Sequence, residues 1–384
     1  MLLAAASLIT PAAVAQQKLV DEVAKNVAAS SNKVPQLKDA LQQIQPALTN
    51  AESKDNVLTW YTAGKASFSL YDALTAQKML KKEVSASEMA QALLDGFKYY
   101  TVALPLDTVL EVNKDGSPKI DKKTGAQKYK VKYSNEIQST LIAHMGDFLS
   151  TGNSCLTSGD YVNSQKAFAA YCDMFDTPLG KTKLNPQPDS VMAEIRFFEG
   201  YSADMNKDYE GALKGYSTAK KLGYTKNQVA ERVAASLGQI AQKYVDAKDY
   251  SSAYKVVDKV IANDPTDANI LDLRGRLAEM DSTQGMKVAV EYYKKAVEAD
   301  GNNVDALFNY GRYYTGQAGE IISANPNMVD SQLRPKITPY LEQALPLLEK
   351  AYSLDKSRSD VKRILRNVYH LVGQDAKVDA LDKE

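Results

Sequence analysis

Histidine and cysteine, on which most metal sites and many catalytic sites depend, are nearly absent. The 384-residue chain has two of each: His144, His370, Cys155 and Cys172. These are too few and too scattered for a structural zinc site, which needs closely spaced ligands. The sequence also has no glycine-rich phosphate loop and no nucleophile motif. We therefore predict a protein that is not an enzyme and that uses no metal ion or cofactor.

Net charge is also absent, because 47 Lys and Arg residues balance 47 Asp and Glu residues. A nucleic-acid surface needs a basic excess, and no Lys or Arg cluster is interleaved with aromatic residues as a single-strand binder requires. No stretch reaches the roughly 18 apolar residues that cross a bilayer. We therefore expect no nucleic-acid partner and no transmembrane segment.

The N-terminal 17 residues contain a short apolar run that ends in Ala-Val-Ala at residues 13–15. Such a run is typical of a secretory signal cleaved before Gln16, although the positively charged start of such signals is missing. The alternative is a buried N-terminal helix. No cysteine follows the run, which excludes a lipid anchor at that site. We expect residues 1–15 to be a signal peptide and the chain to be exported, as a periplasmic, outer-membrane-associated or secreted protein.

Two interpretations of Cys155 and Cys172 remain open. In an oxidising compartment they can pair and join the two helices of one hairpin. Alternatively, they are two small residues buried where helices pack together, as free cysteines usually are.

Small and large residues recur at one spacing, most regularly over residues 237–369. Each set begins with a small residue, and a second small residue follows twelve positions later. A large residue follows four positions after that, and the last residue of the set three positions further on. In two of the sets, extra residues are inserted between the first and second positions. The small residues let two helix backbones approach, and the large residue fills the space beside them. The sets are Gly200, Ala212, Tyr216 and Ala219; Ala241, Ala253, Val257 and Val260; Gly275, Ala289, Tyr293 and Ala296; and Gly311, Ala344, Leu348 and Ala351.

This spacing resembles that of the tetratricopeptide repeat (TPR) family, whose repeat is a helical hairpin. The resemblance covers most of the chain and is strongest from residue 193 to residue 314; further upstream, Gly96 and Ser164 replace the usual alanine. With the predicted export signal, it makes the chain similar to secreted TPR proteins of Gram-negative bacteria. It implies an all-α fold, a right-handed superhelical solenoid of TPR-like hairpins with a small loop or β-hairpin insertion.

The pattern also predicts how the chain is divided. We expect a signal peptide at 1–15, a degenerate N-terminal capping hairpin at 16–56, irregular TPR-like repeats at 57–189, a TPR array at 190–358, and a C-terminal capping helix and tail at 359–384.

Three irregular stretches interrupt the repeats. Turn residues and alternating lysines predict a hairpin or loop insertion over 109–133. Its likeness to a calcium loop fails because Lys122 stands where the closing glutamate is required. Prolines predict loops over 177–189 and over 325–339, the second one following a lengthened first helix.

In TPR proteins the first helices of successive hairpins line a concave groove that contacts the ligand. Residues at i, i+3 and i+7 share a helix face, so the resemblance implies four candidate rows. Each row mixes charge with a planar or aromatic group, which suits a peptide terminus or a polar segment. The alternative is a solvated face with local ion pairs. The rows are Glu194, Phe197 and Tyr201; Asn269, Asp272 and Arg276; Asp305, Phe308 and Arg312; and Asp360, Arg363 and Asn367.

The sequence therefore predicts a non-catalytic TPR scaffold of the bacterial cell envelope that binds a peptide or partner protein in this groove. One alternative is a carbohydrate- or nutrient-binding component of an uptake system, which requires Trp60, Phe197 and Phe308 to be exposed. Another is self-assembly into homo-oligomers through the end repeats.

Overall fold

The computed structural model describes residues 11–30 and 32–383, which belong to two compact units, Met1–Tyr224 and Thr225–Glu384. The described residues form eighteen helices, and their only strands are two short ones in an insertion. The predicted all-α fold and its minor β insertion are therefore confirmed. Of the predicted signal peptide, residues 1–10 lie outside the described residues and residues 11–15 begin the first helix.

The first unit is built from helices that pack pairwise. Its helices are α1 (Pro11–Ala28), α2 (Val34–Thr49), α3 (Val57–Met79), α4 (Ala86–Leu106), α5 (Ser134–Ala143), α6 (Met145–Ser158), α7 (Tyr161–Asp176), α8 (Pro178–Lys183), α9 (Asp189–Met205) and α10 (Tyr209–Lys221). Strands β1 (Val109–Leu110) and β2 (Tyr129–Lys130) lie between α4 and α5. The hairpins are α1 with α2, α3 with α4, α6 with α7, and α9 with α10.

The second unit repeats this arrangement. Its helices are α11 (Val229–Asp246), α12 (Tyr250–Asn263), α13 (Ala268–Met280), α14 (Gly285–Ala299), α15 (Val304–Ala324), α16 (Asp330–Leu354), α17 (Ser359–Leu371) and α18 (Asp375–Lys383). Each odd-numbered helix packs on the next even-numbered one. The odd-numbered helices also contact one another in turn, α11 with α13, α13 with α15, and α15 with α17. We call these four helices the first-helix layer.

Glycines allow the two helices of a hairpin to approach closely. A Cβ atom at Gly275 would lie 2.5 Å from the ring of Tyr293, and one at Gly200 would lie 2.8 Å from the ring of Tyr216. Both tyrosines are fully buried, so the space that each glycine leaves is filled by a ring. Four more glycines make the same contact, in the pairs Gly64–Tyr100, Gly96–Phe68, Gly152–Phe168 and Gly311–Leu348.

His144 separates α5 from α6, which follow each other without a loop. Its backbone has φ −92° and ψ 7°, so α5 ends before it and α6 begins after it. Nδ1 of His144 lies 2.8 Å from Oδ2 of Asp147, and its ring stacks on Phe68 with the centroids 4.8 Å apart. The side-chain contacts hold this residue at the break.

The loop predicted over 177–189 contains a short helix instead. Oγ1 of Thr177 accepts a hydrogen bond of 3.1 Å from the backbone N–H of Gly180, which caps the start of α8. Pro178 occupies the first turn, where a backbone N–H has no acceptor within the helix, so the lack of one in proline costs no hydrogen bond. The Thr-Pro pair is therefore a helix start here.

The loop predicted over 325–339 is also wrong in its second half, because α16 begins at Asp330. The first helix of this hairpin is lengthened as expected and ends at Ala324. Three prolines lie inside α16, and all of them are exposed, so the carbonyl groups that they leave without a partner can bind water. They are Pro335, Pro339 and Pro346.

Both cysteines are buried and unpaired, as the second interpretation predicts. Burial raises the pKa of Cys155 to about 11 and that of Cys172 to about 12, so both are protonated thiols at neutral pH. The predicted C-terminal tail is helical: Leu381 of α18 is buried, and Asp382 accepts a hydrogen bond of 2.8 Å from Nε of Arg366.

We predict that Gly275→Ala lowers the free energy of unfolding by about 1–3 kcal/mol, because the added Cβ overlaps the Tyr293 ring. Gly316 is the matched control, since it lies inside α15 and a Cβ there meets nothing within 4 Å. Gly316→Ala should raise stability by about 0.5–1 kcal/mol through helix propensity alone. Denaturant unfolding measures both, and equal effects of the two changes would contradict the packing argument.

Candidate functional site

The twelve predicted groove residues fall in both units. Glu194, Phe197 and Tyr201 lie on α9 of the first unit, and the other nine lie on α13, α15 and α17 of the second. Phe197 is 3% exposed, and its ring lies 4.8 Å from that of Tyr224 and 5.4 Å from that of Tyr216. Tyr201 is half-buried, with its ring 6.5 Å from Phe197. The side chain of Phe197 therefore belongs to the core of the first unit.

Asp272 lies at the contact between α13 and α15. It is 2% exposed and accepts hydrogen bonds of 3.0 Å from Nε of Arg276 and 2.7 Å from Nδ2 of Asn309. Burial raises the pKa of Asp272, although both partners favour its charged form. Asn269, one turn earlier on α13, accepts a hydrogen bond of 2.7 Å from Nδ2 of Asn303. Asp272 and Asn269 thus hold the two helices together.

Arg312 joins the same two helices through both arms of its guanidinium group. Nη1 and Nη2 lie 2.8 Å and 2.5 Å from the two carboxylate oxygens of Glu279. The hydroxyl of Tyr293 donates a further hydrogen bond of 2.7 Å to Glu279. Burial disfavours the charged carboxylate, but the hydrogen bonds from Arg312 and Tyr293 outweigh it and lower the pKa of Glu279. Arg312 is therefore already occupied by a bidentate pair.

Arg358, at the start of α17, makes the corresponding connection to α15. Its Nη1 donates a hydrogen bond of 2.6 Å to Asp305, and its Nη2 donates one of 2.9 Å to Asp360. The bond from Arg358 lowers the pKa of Asp360 to about 2. The guanidinium group also lies 5.4 Å from the ring centroid of Phe308, which packs against the core.

Three predicted residues of the second unit are exposed and have side-chain donors without a partner among the described residues. The side chain of Arg276 is 51% exposed, and its Nε alone is bonded among the described residues. Arg363 and Asn367 are exposed on one face of α17, and neither has a polar partner in the described part of the chain. These three side chains on the first-helix layer are the candidate site.

The sequence prediction missed three residues that organise this layer: Glu279, Asn309 and Arg358. Glu279 was accessible to the same reasoning, because it lies three residues after Arg276 and seven after Asp272. Asn309 and Arg358 gave no such signal, since each acts across two helices that are distant in sequence.

Neither protein-family models nor curated proteins give a match to the chain. Among solved structures, a TPR protein from Parabacteroides merdae shares 15% identity over 62% of this chain and 77% of its own, with a TM-score of 0.32. A TPR protein from Bacteroides fragilis shares 17% over 59% of this chain and 98% of its own, with a TM-score of 0.31. The resemblance to TPR proteins is confirmed.

A third similar structure is YrrB, described as a TPR protein with an unusual peptide-binding site. It shares 12% identity over 56% of this chain and 88% of its own, with a TM-score of 0.28. Likeness at this level concerns the helical repeat alone. Within the described residues, no three His, Cys, Asp or Glu side chains are grouped to hold a metal ion, and no helix is long and apolar enough to cross a membrane.

We predict that Glu279→Gln lowers the free energy of unfolding by about 1–2 kcal/mol at neutral pH, because it removes the charge from the bonds to Arg312. Since the folded-state pKa of Glu279 is lowered, its stabilisation is complete above the ordinary value of 4.5 and is lost as the pH falls through the folded-state value. The deficit of the variant should therefore shrink below pH 4.5.

Denaturant unfolding across this pH range provides the measurement. Glu291→Gln is the matched control, because Glu291 is exposed on α14 and has no polar partner among the described residues. It should change stability by less than about 0.5 kcal/mol at any pH. A deficit of Glu279→Gln that is independent of pH would contradict the assignment.

Proposed function

We propose that this protein is a non-catalytic interaction scaffold that binds a peptide or partner protein on the first-helix layer of its second unit. The observation that supports this is that the polar residues of α13, α15 and α17 fall into two groups. Arg312 and Arg358 form bonds between helices, whereas Arg276, Arg363 and Asn367 are exposed and have donors without a partner among the described residues.

The chemistry of these donors favours a carboxylate-bearing segment. A guanidinium group binds a carboxylate through two parallel hydrogen bonds, and an amide can hold the neighbouring backbone. The supporting helices are fixed by the Asp272 and Glu279 networks, so little ordering is needed when a ligand binds. An acidic peptide or a chain terminus is therefore the ligand class that fits.

The carbohydrate-binding alternative has no specific observation in its favour. Of its three aromatic platforms, Phe197 is buried, and Phe308 packs against the core. Trp60 is half-buried and donates a hydrogen bond of 2.6 Å from Nε1 to the carbonyl of Lys54. Export to the cell envelope, which rests on the apolar run at residues 1–15, is part of our proposal because it decides where the partner is to be sought.

In-cell crosslinking of the tagged protein, followed by mass spectrometry, tests the proposal. The informative variant is Arg363→Ala with Asn367→Ala, because neither side chain has a polar partner in the described structure and the fold should be unaffected. We predict that a specific envelope protein is captured and that the double variant reduces its capture at least tenfold, since a hydrogen bond to a charged group contributes about 1.5–3 kcal/mol.

Arg334→Ala provides the matched control, since Arg334 is an exposed arginine on α16, outside the first-helix layer. It should leave capture unchanged. Arg276→Gln, which can still bond Asp272, should weaken capture like the double variant. If the same partner is captured in equal amount by all variants, the site lies elsewhere. If no protein is captured by the wild type, the scaffold proposal itself fails.

A further inference from the structure

The insertion between α4 and α5 forms a small sheet of three extended segments. β1 and β2 are antiparallel, with Val109 opposite Lys130 and Leu110 opposite Tyr129. A middle segment joins both through antiparallel bridges, Val112 to Pro118 and Ile120 to Gln127. The turns between the segments contain Gly116 at φ 83° and Gly125 at φ 68°, a conformation that glycine adopts without strain.

Asp107 fixes the base of this sheet to the helical body. It is 2% exposed and accepts backbone hydrogen bonds of 3.0 Å from Lys132, 2.8 Å from Tyr133 and 2.6 Å from Ser134. Burial opposes its charge, but the hydroxyl of Ser134 and these backbone groups lower the pKa of Asp107 overall. The sheet therefore has a defined attachment.

One face of the sheet is apolar and uncovered. Side chains alternate between the faces of a strand, and residues opposite each other in register share a face. The register therefore places five apolar side chains on one face together with Gln127, and we call these five the apolar face. They are Leu110, Val112, Pro118, Ile120 and Tyr129, and of these Leu110 is 55%, Val112 57%, Ile120 49% and Tyr129 53% exposed.

The opposite face carries charged side chains that form ion pairs. Nζ of Lys119 lies 2.6 Å from Glu111, and Nζ of Lys128 lies 3.4 Å from Asp121. These pairs use two of the three carboxylates of the sheet. The third, Asp115, accepts a hydrogen bond of 2.6 Å from the hydroxyl of Ser117.

The two turns of the sheet carry three lysines, against the single carboxylate of Asp115 that forms no ion pair in the described part of the chain. Lys114 lies in the turn before Gly116, and Lys122 and Lys123 lie in the turn before Gly125. All three are exposed, and none has a carboxylate partner among the described residues. The apolar face is therefore bordered by three free ammonium groups.

We propose that the apolar face, with Lys114, Lys122 and Lys123, docks on an anionic lipid surface. Apolar side chains that enter the boundary between head groups and acyl chains are stabilised by burial, and lysines beside them are attracted to anionic lipids. Tyr129 is a residue type that favours this boundary. The surface is separate from the first-helix layer, so this inference does not depend on the proposed peptide site.

The charges argue against a second copy as the occupant. Two apolar faces in contact would bring two sets of three unpaired lysines together, and like charges repel. The face is also small for a stable protein interface, which commonly buries about 800 Å² on each partner. A lipid surface needs neither a large area nor a fixed arrangement of carboxylates.

Vesicle flotation with the full chain provides the test. We expect the protein to float with vesicles that contain phosphatidylglycerol and phosphatidylcholine, and not with phosphatidylcholine alone. Each lysine near the surface contributes about 1 kcal/mol, or roughly fivefold, so Lys114→Glu, Lys122→Glu and Lys123→Glu together should weaken binding on the order of 100-fold. Leu110→Ser with Ile120→Ser should weaken it at least tenfold, because both side chains lose their apolar burial.

The matched charge control replaces three exposed lysines of the second unit, Lys255, Lys259 and Lys287, with glutamate. It alters the net charge equally and should leave flotation unchanged. Equal loss in both triple variants would overturn the proposal, since binding would then follow total charge. Absence of flotation with anionic vesicles, or dimerisation through Leu110 and Ile120 instead, would overturn it as well.

A fluorescent label shows directly which face meets the lipid. Leu110→Cys and Val109→Cys carry the label at adjacent positions of β1, 55% and 59% exposed, that point to opposite faces. The two natural cysteines are buried and should not react. A polarity-sensitive dye should shift to the blue on anionic vesicles at position 110 and not at position 109. Equal shifts at both positions would contradict docking by the apolar face.

Discussion

The fold depends on one steric constraint, the contact of two helix backbones at a glycine beside a large side chain. At Gly275 and Gly200 there is no room for even a Cβ atom, because the rings of Tyr293 and Tyr216 occupy that space. Each ring stabilises its hairpin by burial, and the glycine brings the helices close enough for the ring to bridge them. The same contact occurs in both units, so the hairpin is the element from which each is built.

This packing explains the roles of the polar residues in the second unit. The apolar faces of the helices are buried within and between hairpins. The first helices then contact one another along edges that carry Asp272, Glu279 and Asp305. Each of these carboxylates has a partner on the next first helix or at its start. Buried polar groups must be satisfied in this way, because an unpaired one costs about 1–3 kcal/mol. The layer is therefore held by directional bonds, and only polar groups outside them remain for a ligand.

The hairpins could be predicted from the sequence because the steric rule acts between residues of fixed spacing. The same is true of the insertion, which turn residues delimit. The groove was harder to predict: the i, i+3 and i+7 rule finds residues that share a helix face but not whether another helix covers that face. Phe197 and Arg312 satisfied the rule, yet Phe197 packs among aromatic rings and Arg312 is bonded to Glu279. Prolines misled in α16 because all three lie on the exposed side of the helix, where the carbonyl groups left without a partner can bind water.

The insertion shows how register adds information that composition lacks. The alternation of lysine with apolar residues over 128–132 is consistent with a protected edge strand, in which the lysines would serve only to prevent pairing with another chain. The register of the sheet places the ion-paired Lys119 and Lys128 on one face, with Val109, and the five side chains of the apolar face on the other. A shift of one residue would exchange the faces of that strand and mix the two sets. Because Asp107 fixes the attachment through three consecutive backbone N–H groups, the segregation of the two faces follows from the fold.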